Sequence, residues 1–205
     1  TKARSAFALA EKPLAQINAS FIGAGSFAQS YLIPNVKGAG ASLDGVVTSR
    51  GITAKNVANK FGFNFCSSAV NDVLGKQEVN TIFIATPHNS HAELTVQSLQ
   101  AGKAVFVEKP LAINTEQLQE VIETKKKHSH PLMVGFNRRF APVSIQVKKE
   151  FASAGEPIVV NMRINAGMIP KDNWLQQKEV GAGRIIGEMC HFIDLMQFFT
   201  GSEPV

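Results

Sequence analysis

The chain has 205 residues, 44% of them hydrophobic and 18% charged, with a mean hydropathy of +0.01, the balance of a globular protein that buries a core. That composition excludes a collagen-like, disordered or membrane-spanning chain, and the length accommodates one large domain or one domain with part of a second. Twenty-one Lys plus Arg against 16 Asp plus Glu leave a net charge of +5, which suits an anionic ligand, but the cations are scattered and no nucleic-acid surface is implied.

Residues 1–16 are mixed in character, hold Pro13 and read as a lead-in or interdomain linker. The start Thr1-Lys2-Ala3-Arg4 lacks Met and any apolar run of signal-peptide or anchor length, so the N-terminus reads as cut. From Ile17 onward, short β-prone runs alternate with stretches of helical period. The runs are Ile17–Ile22, Gly45–Val47, Thr81–Ala85, Ala104–Val107 and Leu132–Phe136. Repeated strand-then-helix order predicts a parallel sheet with crossover helices, an α/β fold.

The helices carry start and stop signals. Ile52, Val57, Ala58 and Phe61 form one helix face; Ser90 with Glu93 predicts a capping box, and Gly102 ends that helix. Asn114 with Gln117 predicts a second capping box ahead of Leu118, Val121 and Ile122, and Lys125-Lys126-Lys127 closes that helix where cations complement its carbonyl end. After Arg139 the alternation breaks. A helix is expected over Val143–Phe151, ending near Gly155-Glu156-Pro157, then a strand over Ile158–Ile164 with Val159, Asn161 and Arg163 outward. A loop with Gly167, Pro170 and Trp174 leads into a long apolar helix from Gly183 to Phe199, and a domain boundary is placed at residues 137–140. Cys66 and Cys190 lie far apart with no metal-site spacing, which fits a reducing cytoplasm and gives no metal site.

Three segments carry chemistry. Gly23-Ala24-Gly25-Ser26-Phe27-Ala28 stands between a strand and a helical stretch, as in a dinucleotide turn. There Gly23 permits the turn, Gly25 admits the pyrophosphate to the backbone and Ala28 lets the helix pack close. At the end of the second strand, where an acidic residue would bond an NAD ribose, stand Thr48, Ser49 and Arg50. A hydroxyl beside a guanidinium suits a 2′-phosphate, so NADP is expected, with NAD as the alternative if Arg50 is merely a solvated cation. Thr86, Pro87, His88 and His91, and then Glu108, Lys109 and Pro110, stand at strand ends where open parallel sheets bind ligands. His88 and His91, taken alone, also fit as cap and loop residues. Lys109, between a strand and a proline, can hold or polarise a substrate hydroxyl.

The ordered set GAGSFA, ATPHNSH, VEKPL, GFNRRF and GAGRIIGEMCHFID resembles the Gfo/Idh/MocA family of glucose-fructose oxidoreductases, inositol dehydrogenases and rhizopine-catabolism proteins, from Ile17 to Val205. A narrower likeness is to members fused behind a zinc alcohol-dehydrogenase-like domain. The resemblance implies a Rossmann domain over residues 17–137, followed by the start of an α+β substrate domain over 138–205. It further implies an NAD(P)-dependent enzyme acting on a secondary hydroxyl or keto carbon of a sugar, inositol, nucleotide-sugar or related polyol. By the same resemblance Lys109 assists proton transfer, the adjacent Pro110 is often cis and His191 is the second-domain histidine. The family's acid position falls on Gly187, with a carboxylate one step later at Glu188.

Glu188, His191 and Asp194 stand at i, i+3 and i+6, so in an α-helix Glu188 shares a face with His191 and can orient it as a base. Asn137, Arg138, Asp194 and Trp174 are the candidate substrate contacts. Rival readings are a dinucleotide sensor of the same fold without turnover, and an interaction module binding an acidic partner through the basic surface. Val205 reads as a truncation point, which leaves the substrate domain unfinished and the fragment short of activity and of the sheet through which a full-length homo-oligomer would form.

Overall fold

Six short runs rich in β-branched and aromatic residues pair into one parallel sheet. They are β1 (Asn18–Ile22), β2 (Ser42–Val47), β3 (Phe65–Ser67), β4 (Thr81–Ile84), β5 (Ala104–Val107) and β6 (Leu132–Val134), in the order β3-β2-β1-β4-β5-β6. The structure, a computed structural model, describes residues 16–153 and 158–203; the proposed lead-in and the expected helix end at 155–157 lie outside them, apart from Gln16. The five strand segments legible in the sequence are present. The sixth, β3, is a three-residue strand, too short to show a period.

This is the doubly wound order of dinucleotide-binding sheets. Both faces are covered, which is why the strands read as near-continuous apolar runs. Alternate side chains of β1 feed opposite layers: Ala19 and Phe21 join Ile33, Val46, Val57 and Phe63 on one side, and Ile22 joins Ile82, Ile84, Leu99 and Val107 on the other. Phe21, fully buried, stacks on Phe83 at 4.8 Å and meets Phe63 edge-on at 5.8 Å.

The crossover helices are α1 (Ile33–Gly38), α2 (Gly51–Phe61), α3 (Asn71–Leu74), α4 (His91–Gln100) and α5 (Thr115–Lys127). Gly62, at φ +81°, and Gly102, at φ +75°, take the left-handed conformation just beyond α2 and α4. On α2, Val57 and Ala58 face the core as expected, but Ile52 is exposed and Ala54 takes the inward place. Asn114 caps α5 by accepting from the Gln117 amide at 2.9 Å, while Gln117 reaches back to the Ile113 amide, one residue earlier than in a standard capping box. The box expected at Ser90 and Glu93 is absent. Ser90 already has helical dihedrals in a 3₁₀ turn (His88–Ser90), so its hydroxyl donates to the Pro87 carbonyl at 2.9 Å.

Beyond β6 a 3₁₀ turn (Asn137–Phe140) leads into α6 (Pro142–Ser153). The strand expected over Ile158–Ile164 does not form: the described residues there are irregular, with no neighbouring strand to pair their backbone groups. A 3₁₀ turn (Trp174–Gln176) comes next. The long helix then begins as a π-helical turn (Ile185–Met189) and continues as α7 (Cys190–Thr200) to Gly201 at φ +68°. Arg139, just past the sheet, forms a two-pronged ion pair with the buried Asp194 of α7, which fastens this segment to the end of the sheet. Among the described residues no helix is long and apolar enough to cross a membrane.

Phe21→Ala removes a ring packed from both sides and is expected to lower unfolding stability by about 3–5 kcal/mol, whereas Val143→Ala, 71% exposed, changes it by less than about 0.5 kcal/mol. Urea titrations of the two variants check the contrast, and equal losses would mean that the ring is not the core element its burial indicates.

Candidate functional site

The sheet reverses its winding between β1 and β4, and the chain leaving β1 turns there. Gly23, at φ +90°, donates its amide to the Val47 carbonyl at 2.8 Å, and a Cβ on it would lie 2.3 Å from the Ala85 carbonyl oxygen, so no larger residue passes. Gly25 is the opposite case: a Cβ would meet nothing within 4 Å. That side opens on a cleft of about 780 Å³ lined by Gly23, Gly25, Ser26, Phe27, Thr48, Ser49, Arg50, Thr86, Pro87, Ser90 and Trp174, among others. Ala28 is buried against the sheet and opens a π-helical turn (Ala28–Leu32) ahead of α1, so the helix starts with a wider winding than the motif implies. None of the described residues lining this cleft is acidic. Arg50 sits exposed at the start of α2, and the Thr48 hydroxyl donates to its carbonyl at 2.8 Å.

A second cavity of about 560 Å³ adjoins the first, sharing Gly25, Phe27, Thr86 and Trp174, and adds His88, His91, Glu108, Lys109, Asn137, Arg138 and His191. Lys109 leaves β5 through a cis bond to Pro110, and its Nζ donates to the Gly187 carbonyl at 2.7 Å. The His191 Nδ1 is buried without a hydrogen-bond partner. Burial, then the nearby Lys109 and Arg138 charges, push its pKa down to about 4, so the imidazole is neutral at pH 7. Glu108 moves the other way: burial raises its carboxyl to about 7 against the pull of Lys109. Gly135 makes room for that carboxyl, since a Cβ there would stand 2.8 Å from its Oε1.

The two histidines of the β4 end differ in what they hold. His91, fully buried, places one ring nitrogen 2.7 Å from the Pro110 carbonyl and the other 2.9 Å from that of Thr86, so it sets the spacing of the β4 and β5 ends. Burial lowers its pKa although both carbonyls oppose the shift. His88 donates through Nδ1 to the Gly181 carbonyl at 2.9 Å and meets Trp174 edge-on at 4.8 Å. It pins the 174–187 segment over the sheet.

Two expectations require correction. Glu188 does not orient His191: its carboxylate accepts from Arg184 Nε at 2.7 Å, because the π-helical winding of Ile185–Met189 inserts a residue per turn and destroys the i, i+3 alignment. Asp194 does not line the cavity; it is 6% exposed and committed to Arg139. Asn137, Arg138 and Trp174 do line it, and the Arg138 guanidinium lies 4.5 Å over the Phe192 ring. Gly181 and Gly187 hold His88 and Lys109 through their backbone carbonyls, a role that no side-chain motif signals, although Gly187 stands at the family's acid position. A Cβ at Gly187 would lie 3.0 Å from His88 Cε1, and Ala182 between the two adopts φ +59°, a costly conformation outside glycine. Among the described residues no cluster of three His, Cys, Asp or Glu could hold a metal ion.

Comparison with known proteins gives consistent matches. A family model, GFO_IDH_MocA, described as an oxidoreductase family with an NAD-binding Rossmann fold, matches residues 17–136. Inositol 2-dehydrogenase of Rhizobium meliloti is 28% identical over 188 residues, 90% of this chain and 55% of the relative. Levoglucosan dehydrogenase of Pseudarthrobacter phenanthrenivorans is 27% identical over 158 residues, 72% of this chain and 40% of the relative. Among solved structures, an NAD-binding protein from Listeria innocua superposes with a TM-score of 0.79 at 28% identity, covering 91% of this chain and 56% of that one. A levoglucosan dehydrogenase in complex with NADH and levoglucosan shares the fold, with a TM-score of 0.76 at 22% identity over 91% of this chain and 55% of that one. The chain thus spans about half the length of the curated relatives it matches. The narrower likeness to members fused behind a zinc alcohol-dehydrogenase-like domain is not borne out.

The histidines make stability depend on acid. Burial lowers the pKa of His88 from 6.5 to about 4, so between those values the unfolded chain binds a proton that the native one does not. Its contribution is whole above pH 6.5 and lost as pH falls toward 4. Glu108, raised to about 7, acts in the opposite sense. His88→Gln is therefore expected to flatten the fall in thermal midpoint between pH 6.5 and 4 relative to the parent, and identical slopes would remove His88 from the acid response.

Proposed function

The chain belongs to the GFO_IDH_MocA oxidoreductase family, with its NAD-binding Rossmann fold over residues 17–136, and from that premise we propose that it transfers hydride between a nicotinamide dinucleotide and a secondary hydroxyl or keto carbon of a sugar, inositol, nucleotide-sugar or related polyol. The observation that carries this reading is the meeting of Lys109 and His191 in a cavity continuous with the dinucleotide cleft. Lys109 spends one N–H on the Gly187 carbonyl and retains two for the substrate oxygen. His191 lines the cavity and is neutral at pH 7, and a neutral imidazole has a ring nitrogen that can accept the hydroxyl proton. A nicotinamide dinucleotide held in the cleft would supply the hydride acceptor. In the oxidative direction the O–H proton passes to His191, the C–H electron pair leaves with the hydride, and a ketone remains.

The cleft fits the cofactor. Its volume of about 780 Å³ lies in the range of ligand sites, and the open side of Gly25 is where a pyrophosphate approaches the backbone. NADP is the preferred form because Ser49 and Arg50 line the ribose end and no described carboxylate does. The substrate groups assigned here are Lys109, His191, Asn137, Arg138 and Trp174. A sensor without turnover is the second reading, favoured by one observation: Glu188 is turned away to Arg184, so no carboxylate orients His191.

Two measurements test the proposal. Lys109→Met is expected to lower turnover of a responsive polyol by at least about a hundredfold while the cofactor still binds; unchanged turnover would remove Lys109 from the reaction. Arg50→Ala is expected to weaken NADPH binding about tenfold, the loss of a charge-assisted contact, with NADH affected less. Equal effects on both would assign Arg50 away from the 2′-phosphate. Tight cofactor binding with no oxidation across a polyol and sugar panel would establish the sensor.

A further inference from the structure

The charges around the inner cavity do not balance. Of the three arginines near the start of α6 and α7, Arg139 is neutralised by Asp194 and Arg184 by Glu188, both pairs lying off the cavity wall. Arg138 lines the cavity and has no carboxylate ion-pair partner among the described residues, and Lys109, in the same lining, donates to a carbonyl rather than a carboxylate. Arg138 is nevertheless held: its guanidinium lies over the Phe192 face at 4.5 Å, an arrangement that leaves the N–H edge of a planar fork unused.

We infer that the substrate is acidic, a sugar or polyol whose oxyanion, carboxylate or phosphate, seats on Arg138 while its reacting carbon lies between Lys109 and His191. The inference rests on the hydride-transfer reading above and names the substrate class of that same site. Arg138 is exposed at the cavity and half-buried Lys109 shares its lining, so a guanidinium edge that matches two oxygens of one anionic group can exchange water for that group, a contact a neutral polyol does not supply. Glu108, the one carboxylate among the described lining residues, supplies only part of a counter-charge, because burial raises its carboxyl to about 7. Burial first, then Lys109 and Arg138, push His191 toward its neutral form against the smaller pulls of Asp194 and Glu188.

The test compares matched substrates with the protein saturated by cofactor: D-glucuronate and D-glucose 6-phosphate against D-glucose, and D-galacturonate against D-galactose, by calorimetric binding with NADPH or NADH and by nicotinamide absorbance during turnover. At least one acidic member is expected to bind about tenfold or more tightly than its neutral partner, and Arg138→Met is expected to collapse that ratio toward one, with Arg138→Lys restoring part of it. Preference for glucuronate over glucose 6-phosphate identifies the carboxylate as the anion, and the reverse identifies the phosphate. Neutral members bound or oxidised as well as the acidic ones overturn the inference while leaving the hydride-transfer reading intact. Cofactor binding with no sugar bound or oxidised overturns both. If Arg138→Met weakens NADPH and NADH as much as it weakens the acid, the anion on Arg138 belongs to the cofactor and the substrate assignment fails.

Discussion

The close approach of Gly23 to the end of β4 decides where the site lies. Between β1 and β4 the chain must turn at Gly23 with the Ala85 carbonyl oxygen only 2.3 Å from where a Cβ would stand, so the chain leaving β1 can pass β4 only as glycine. A parallel sheet wound outward in both directions from β1 leaves a crevice at the split. The cleft opens from it, bounded by the Gly23–Phe27 turn on one side and the Thr86-Pro87 turn on the other. The inner cavity, with Lys109 and His191, is reached from that crevice.

The segment beyond β6 completes the inner cavity by three contacts of different kinds. The Arg139–Asp194 pair anchors α7 to the end of the sheet, the His88–Gly181 bond lays the 174–187 segment over β4, and the Lys109–Gly187 bond sets the ammonium against the π-helical turn. Two of the three use backbone carbonyls as acceptors. Asp194 and Glu188 therefore serve arginines, and among the described residues the inner cavity is lined by Lys109 and Arg138 with Glu108 as its carboxylate. The wide π-helical turn has a double effect: it turns Glu188 toward Arg184, and it leaves the buried Nδ1 of His191 without a partner.

Much of the sheet was legible because its signal is local. A strand buried on both faces reads as an apolar run, and Gly23 and Gly102 mark turns that other residues resist. Where reading failed, a neighbour distant in sequence or a change of helical winding decided. Ser90 and Glu93 satisfy the spacing of a capping box, but the turn before α4 is already helical, and the hydroxyl finds Pro87 instead. Ile158–Ile164 alternates as a strand should, yet no strand lies beside it to take its hydrogen bonds. Glu188 and His191 have helical spacing, which means a shared face only if the helix is α-wound, and here it is not.

The sequence by itself determined a parallel sheet with crossover helices, the glycine turn and the identity of the groups that could face a dinucleotide, since alternation, apolar runs and a Gly-x-Gly turn are properties of contiguous residues. Only the tertiary structure decided which of the charged side chains find a partner. Whether Arg138 or Arg139 meets a carboxylate, and whether Glu188 meets His191 or Arg184, depends on contacts between segments far apart in the chain and on a helical winding that residue spacing does not reveal. Charge balance is a property of the assembled cavity.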